Sequence, residues 1–442
     1  MQNRLRLQKL NGKLPVRKRT VVHWIVLIVA FWSFLIKPVS ALPGALNYLK
    51  YLPDGFLFAL IILAIGRKKL TFRRQVMIPV CMVCIFFIYT LFVYMFRFQS
   101  VAYYLWGFRN NFRFLIAFFA FIAFLDEQDV KTWMRILDAL FWVNLVLSIF
   151  QFVVLGVGGD LLGGIFGVQG ASNGYTLFLL NFVIIKSLLQ SFQGEEKYSL
   201  CITKCLCAIL VAAMAELKVF FVLFFIVLLS CSLITRYSWR KMVLFLLVAA
   251  LIMIGTTILT QFHGFEGFFS WENIWELATK ENYASTEDIN RLSAIASLTD
   301  VLRMTPMDRI VGLGLGNCDT AAFAACNTAF YKMYGYLHYT WLTSAMIFLE
   351  MGFVGLVFFC GFIIVCGWRG YVMYKRGIGN RIYNQLAAIC AVTSLVIMFY
   401  NSSLRIEAGY MVYFILALPF MDTGSVKEQG KHSVTRESVG KI

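Results

Sequence analysis

Long apolar runs separated by short polar intervals fill almost the whole chain. They fall near residues 21–36, 51–66, 76–96, 112–125, 136–155, 174–189, 200–215, 220–234, 242–259, 339–366, 384–400 and 406–420. Runs of this size suit helices crossing about 30 Å of hydrocarbon at roughly 1.5 Å per residue. Lipid offers a backbone no hydrogen-bond partner, so a spanning segment must satisfy its own N–H and C=O groups, which a helix does. The pattern predicts an all-α polytopic membrane protein with about 12 transmembrane helices, forming one integral membrane domain over residues 1–442. Residues 1–19 and 422–442 are left as polar tails.

One interval breaks this rhythm. Gln261 to His338 carries Glu266, Glu272, Glu276, Glu281, Glu287, Asp288, Arg291, Asp300, Arg303, Asp308, Arg309 and Asp319. Spanning a bilayer requires no such stretch, so it is expected to be the working part and the helices its mount. Within it, Ser285-Thr286-Glu287-Asp288 has the Ser-x-x-acid form of a helix start, and Thr305-Pro306 forms a stop. Leu292, Ile295, Leu298 or Thr299, and Leu302 recur between them at helical spacing. The spacing predicts an amphipathic helix of about 19 residues lying across the membrane surface. Arg291 falls near its N-terminal end, where a cation opposes the helix dipole unless an anion is bound. That placement points to an anion site; an arginine facing solvent or lipid headgroups is the plainer alternative.

Composition agrees with the pattern. Of 442 residues, 60% are hydrophobic and only 14% charged, with a mean hydropathy of +0.74, whereas water-soluble domains carry about 25% charge. A net charge of +17 raises nucleic acid as a partner, so the location of the basic residues decides. Arg4, Arg6, Lys9, Lys13, Arg17, Lys18 and Arg19 crowd the first tail without an acid. Further clusters (Arg67 to Arg74, Arg236 to Lys241, Arg369 to Arg381) recur wherever the alternation returns to the same side. By the positive-inside tendency that side is cytoplasmic, both termini lie there, and residues 261–338 form a large extracytoplasmic loop. The basic charge then reads as a topology signal and a partner for anionic lipid headgroups, and nucleic acid is not required.

This topology limits the chemistry. Each cytoplasmic segment has roughly 20 residues or fewer, too short to fold alone. There is no glycine-rich phosphate loop followed by Lys-Ser/Thr, so no nucleotide cofactor is expected, and substrates should arrive from the outer face or through the membrane plane. On that face Glu216-Leu217-Lys218 forms a tight corner. The run Gly312-Leu313-Gly314-Leu315-Gly316 can let backbone approach a ligand closely. His338 heads the tenth apolar run, as a catalyst or as an ordinary interfacial residue. Glu350 lies within that run, where an acid costs on the order of 2.5–3.5 kcal/mol and marks either a functional site or a buried tie to an Arg. Cys318 and Cys326 form either a disulfide or two free thiols.

In this order, Arg291, the glycine turn at 312–316, His338 and Glu350-x-Gly352-x-x-Gly355 resemble the O-antigen ligase/polymerase superfamily, which includes Wzy-type polysaccharide polymerases. Gly167 followed by Asn173, and Glu216-x-Lys218, match further positions, so the resemblance covers roughly residues 156–366. Tyr339 and Leu217 depart from the Asn and Ser common there. The resemblance implies a glycosyltransferase that polymerises repeat units of O-antigen, capsule or exopolysaccharide, moving the growing glycan from undecaprenyl diphosphate to a new lipid-linked repeat unit. The site would lie on the outer face of a bacterial cytoplasmic membrane. A ligase transferring glycan to lipid A-core has the same parts, and a flippase is the rival from another class. A flippase and a chain-length regulator are the implied protein partners.

Displacing a diphosphate develops negative charge that Arg or Lys donors stabilise, and the attacking hydroxyl must lose a proton, work suited to an imidazole. Arg291, His338 and Glu350 are therefore the catalytic candidates, with Lys218, Glu216, Arg303, Arg309, Gly314 and Gly316 as substrate-binding candidates. Residues 37–53 contain no acid and the chain no Asp-x-Asp, so the transfer is expected to be metal-independent.

Overall fold

The computed structural model describes residues 21–66, 75–168, 170, 172–235, 239, 289–320 and 326–421. Both expected tails, the expected ninth span (242–259) and the loop up to residue 288 lie outside the described residues. Among the described residues the chain is helical, with no strand. Six helices are long and apolar enough to cross a membrane, or seven if one bent pair counts as a span, as expected of a multi-pass membrane protein.

The bent pair is α1 (Val21–Ala30) and α2 (Trp32–Ser40), which meet at 74° where one straight span was expected. Then come α3 (Leu52–Gly66), α4 (Met77–Arg97) and α5 (Val101–Phe124). The start of α5 corrects the expected loop between the third and fourth spans: Arg109 stands on a helix, one turn before Arg113. α6 (Glu127–Val153) begins at a capping box in which Asp126 accepts from the Asp129 N–H and Asp129 accepts from the Asp126 N–H. Two short 3-10 turns follow, and then α7 (Ser172–Gln193), which is almost wholly enclosed. α8 (Tyr198–Met214) and α9 (Lys218–Ile234) pack on it and meet at Glu216, whose φ of 49° closes the corner.

Of the expected amphipathic helix of about 19 residues, the start at 285–288 lies outside the described residues, and the rest is helical only over α10 (Ala294–Val301); α11 (Pro306–Val311) and α12 (Ala329–Tyr334) follow it. The Asn290 side chain accepts from the Leu292 N–H, a local turn that competes with helix, so Arg291 lies ahead of α10 and not on it. Thr305 stops the preceding segment and caps α11 through Asp308.

Among the described residues the last three α-helices are α13 (Thr343–Lys375), α14 (Arg381–Tyr400) and α15 (Gly409–Ala417). α13 and α14 lie side by side where Gly367 faces Ala391, a Cβ there falling 2.4 Å from the alanine Cβ. α15 is buried along its length, its Tyr410, Tyr413 and Phe414 rings meeting Phe114 and Trp133.

α13 is broken. Gly352 has φ 64° and ψ −164°, and a Cβ there would stand 2.2 Å from the Ile310 carbonyl oxygen. The carbonyls freed by the break are all taken: Leu349 C=O accepts from the Leu313 N–H (2.8 Å), Glu350 C=O from the Gly314 N–H (3.0 Å) and Met351 C=O from the Tyr89 hydroxyl (2.7 Å). Gly312 permits this approach, since a Cβ on it would fall 2.4 Å from the Met351 nitrogen.

Candidate active site at one end of the bundle

The segment 400–408, between α14 and α15, is the hub of a polar end of the bundle. Asn401 C=O accepts from the N–H and hydroxyl of Thr343, the first residue of α13. Ser403 lies against Gly174 at the start of α7. Arg405 Nη2 meets Asp319 Oδ2 at 3.0 Å and Glu350 Oε2 at 3.6 Å. Glu407 pairs with Arg113 at 2.9 Å and accepts from the Tyr175 hydroxyl at 3.1 Å. Four parts of the chain distant in sequence are fastened by this one segment.

Two groups of sequence candidates land differently around this hub. The first is enclosed. Glu350 has no exposure; Asn111 donates to its Oε2 at 3.4 Å, the Gly316 N–H hydrogen-bonds it, and Arg405 supplies the countercharge. Asn110 and Arg405 both donate to Asp319 Oδ2. Gly314 and Gly316 have positive φ and pack on protein: a Cβ on Gly316 would lie 1.9 Å from the Tyr103 carbonyl oxygen, and one on Gly314 2.2 Å from the Gln99 side chain. The close approach that the glycine run permits is made to α5, around Gly107.

The second group is accessible. Arg291 is half-buried, its guanidinium 4.2 Å from the centre of the Tyr400 ring. Lys218, at the start of α9, lies within Coulombic range of Arg291, Glu216 and Asp160. The Glu216 carboxylate sits beside Gly159, and Asp160 accepts from Asn173 at 2.7 Å. His338 comes to the same segment as Arg291 through the backbone, because Ile289 N–H donates to Leu337 C=O at 3.4 Å. Its φ is 53°, and its ring stacks on Trp341 with centroids 4.0 Å apart. Arg291, Lys218 and Glu216, spread over 75 positions of sequence, thus lie within Coulombic range around Lys218, and His338 adjoins the Arg291 segment through the backbone. Arg303 and Arg309 are exposed on the α11 side of the loop, Arg309 donating Nε–H to Met304 C=O. There Arg97 pairs with Asp308 at 2.6 Å. Burial works to raise the Asp308 pKa, but the Thr305 hydroxyl and the Arg97 guanidinium outweigh it and hold the carboxyl below its usual range.

Sequence reasoning missed Arg405, Glu407, Arg113 and Tyr400, and did not single out Asp319 within the polar interval. A signal existed for Arg113: it sits in the expected fourth span, so the cost that marks Glu350 marks it too. Arg405 and Glu407 offered none, since two charges between spans look like an ordinary connection. Leu217 and Tyr339, the two departures from the family pattern, are buried, with the Tyr339 hydroxyl donating to Cys318 C=O at 2.7 Å. Cys318 and Cys326 are both free thiols, Cys318 enclosed and Cys326 half-buried.

Among the described residues, one group could hold a cation: His23, Asp126 and Asp129, with donor atoms within 4.8 Å of one another. It lies at the far end of α5 from Gly107, about 26 Å of helix away, and both Asp already cap α6. The chain matches no protein-family model and no curated protein sequence.

Proposed function

We propose that this protein is a metal-independent glycosyltransferase that polymerises lipid-linked oligosaccharide repeat units at the outer face of a bacterial cytoplasmic membrane. The observation that carries this reading is that Arg291 and Lys218, two cations far apart in sequence, come within Coulombic range of each other at the end of a multi-pass apolar bundle. A diphosphate leaving group needs such a pair, and a carrier in the membrane plane reaches a site at a bundle end. His338, tied to the Arg291 segment through Leu337, takes the proton of the acceptor hydroxyl. The acceptor oxygen bonds to the anomeric carbon of the growing glycan as that carbon's bond to the diphosphate oxygen breaks. Undecaprenyl diphosphate leaves, its charge held by Arg291 and Lys218, and the anomeric centre inverts. Glu350 acts at one remove by holding Arg405, and with it the hub that carries Tyr400.

The test is glycan analysis of a deletion strain complemented with wild type, Arg291→Ala or His338→Ala. Accumulation of single lipid-linked repeat units with each variant, at wild-type protein level, supports the reading. Normal polymer from Arg291→Ala overturns it. Loss of glycan-capped lipid A-core would identify a ligase, and loss of all outward transfer a flippase.

A further inference from the structure

Away from the Arg291 surface, the lower halves of α13 and α14 and the end of α9 enclose an apolar groove of about 310 Å³. Ile234 of α9 forms one wall, Ile364, Trp368 and Tyr371 of α13 the other, and Ala388 to Leu395 of α14 the floor. The floor runs for about 10 Å at 1.5 Å per residue. Trp368 and Ile364 are 65% and 52% exposed, so the groove opens sideways to whatever surrounds the bundle.

Its mouth is a collar of aromatic rings and cations. The Tyr374 hydroxyl donates to Ile234 C=O at 2.8 Å and fastens α13 to α9. Lys375 Nζ stands 5.5 Å from the Tyr371 ring centre, and the Arg381 guanidinium 5.4 Å from that of Tyr374. The helices that build the groove carry no acid here: from Met351 to Ile406 the sequence contains no Asp or Glu, and α9 has none. An apolar trough ending in a cluster of cations complements a molecule with an apolar chain and an anionic head.

We infer that this groove binds one anionic phospholipid, its acyl chain along Ile364, Val392 and Leu395 and its phosphate between Lys375 and Arg381. Trp368, Tyr371 and Tyr374 then occupy the level at which aromatic residues meet headgroups. A zwitterionic lipid fills the trough equally well but carries its own cation to the collar. The inference is independent of the glycosyltransfer reading, because it uses none of the residues placed there.

The test uses the full-length protein in phosphatidylcholine nanodiscs doped with chain-brominated phosphatidylglycerol or chain-brominated phosphatidylcholine. The quenching attributable to Trp368 is isolated by comparison with Trp368→Phe. Brominated phosphatidylglycerol should quench at a mole fraction roughly tenfold lower than brominated phosphatidylcholine, given the attraction of two cations for an anionic headgroup. Lys375→Ala with Arg381→Ala should abolish the difference, and Lys375→Arg should keep it. Should the double variant fold poorly, Val392→Trp fills the trough and leaves both cations. Native mass spectrometry should then show one fewer retained phosphatidylglycerol than in wild type. Equal quenching of wild type by the two lipids, or an unchanged retained count in Val392→Trp, overturns the inference.

Discussion

Arg405 Nη2 lies 3.0 Å from Asp319 Oδ2 across 86 residues of sequence, so the connection between α14 and α15 is bolted to the long polar loop. The same guanidinium nitrogen is the countercharge of Glu350, which has no exposure. Removing one partner of a buried charge group leaves the others uncompensated at a cost of about 3–5 kcal/mol. Arg405→Ala should therefore lower the melting temperature and the amount of inserted protein far more than Glu350→Gln does. Adding Glu350→Gln to Arg405→Ala should recover part of the loss. A strictly additive double variant, measured by thermal unfolding in detergent, would show that the two residues do not interact.

The break in α13 makes a second, sharper prediction. Tyr89 shares its one hydroxyl proton between Met351 C=O (2.7 Å) and Val311 C=O (2.9 Å), beside the break at Gly352. Tyr89→Phe should cost about 1–3 kcal/mol, the penalty for buried groups left without a donor. Gly352→Ala should cost more, since its Cβ meets the Ile310 carbonyl oxygen in a backbone conformation that disfavours a side chain. Equal stability of wild type and Gly352→Ala would mean that α13 runs straight.

The Tyr400 ring face supports the Arg291 guanidinium. Tyr400→Phe should leave polymer yield near wild type, whereas Tyr400→Ala should lower it about fivefold to tenfold, the equivalent of roughly 1 kcal/mol of lost cation–π attraction. Quantifying polymer from strains matched for protein level separates these outcomes. Equal loss in both variants would show that the hydroxyl is what matters.

Asp308 gives a pH dependence whose sign is fixed by its partners. Its folded pKa lies below the unfolded value of about 3.9, so its contribution is fully present above that value and is lost as pH falls through the folded one. Asp308→Asn should lower the melting temperature at neutral pH and reduce the further decline of stability below about pH 4. The loss at neutral pH should be about 1 kcal/mol, an ordinary helix-cap contribution with a partly exposed ion pair. A steeper acid decline in Asp308→Asn than in wild type would reverse the assignment.

The two loop thiols should differ in reactivity. Burial pushes the Cys318 thiol well above its usual range, while Cys326 is half-buried. A maleimide should label Cys326 and spare Cys318 until the protein is unfolded, with no change on prior reduction. Reductant-dependent labelling of both would reveal a disulfide.

Hydropathy alone was enough to establish an apolar helical bundle, because each spanning helix satisfies its own backbone and needs only a run of apolar side chains. It also singled out Glu350 and Arg113 as costly where they stand, although only Glu350 was read that way. The partners that absorb that cost were beyond it. Nothing in a 1-dimensional pattern says that Arg405 faces Glu350, that Glu407 faces Arg113, or that the glycine turn at 312–316 takes up the backbone that Gly352 breaks. Nor does the spacing of leucines show that Asn290 folds back locally and leaves α10 at 8 residues. Local periodicity determines which segments become helices, since that preference is decided within a turn or two of chain. Which charge answers which is decided by the packing of helices distant in sequence, and that packing alone brought Arg291 to Tyr400 and Lys218.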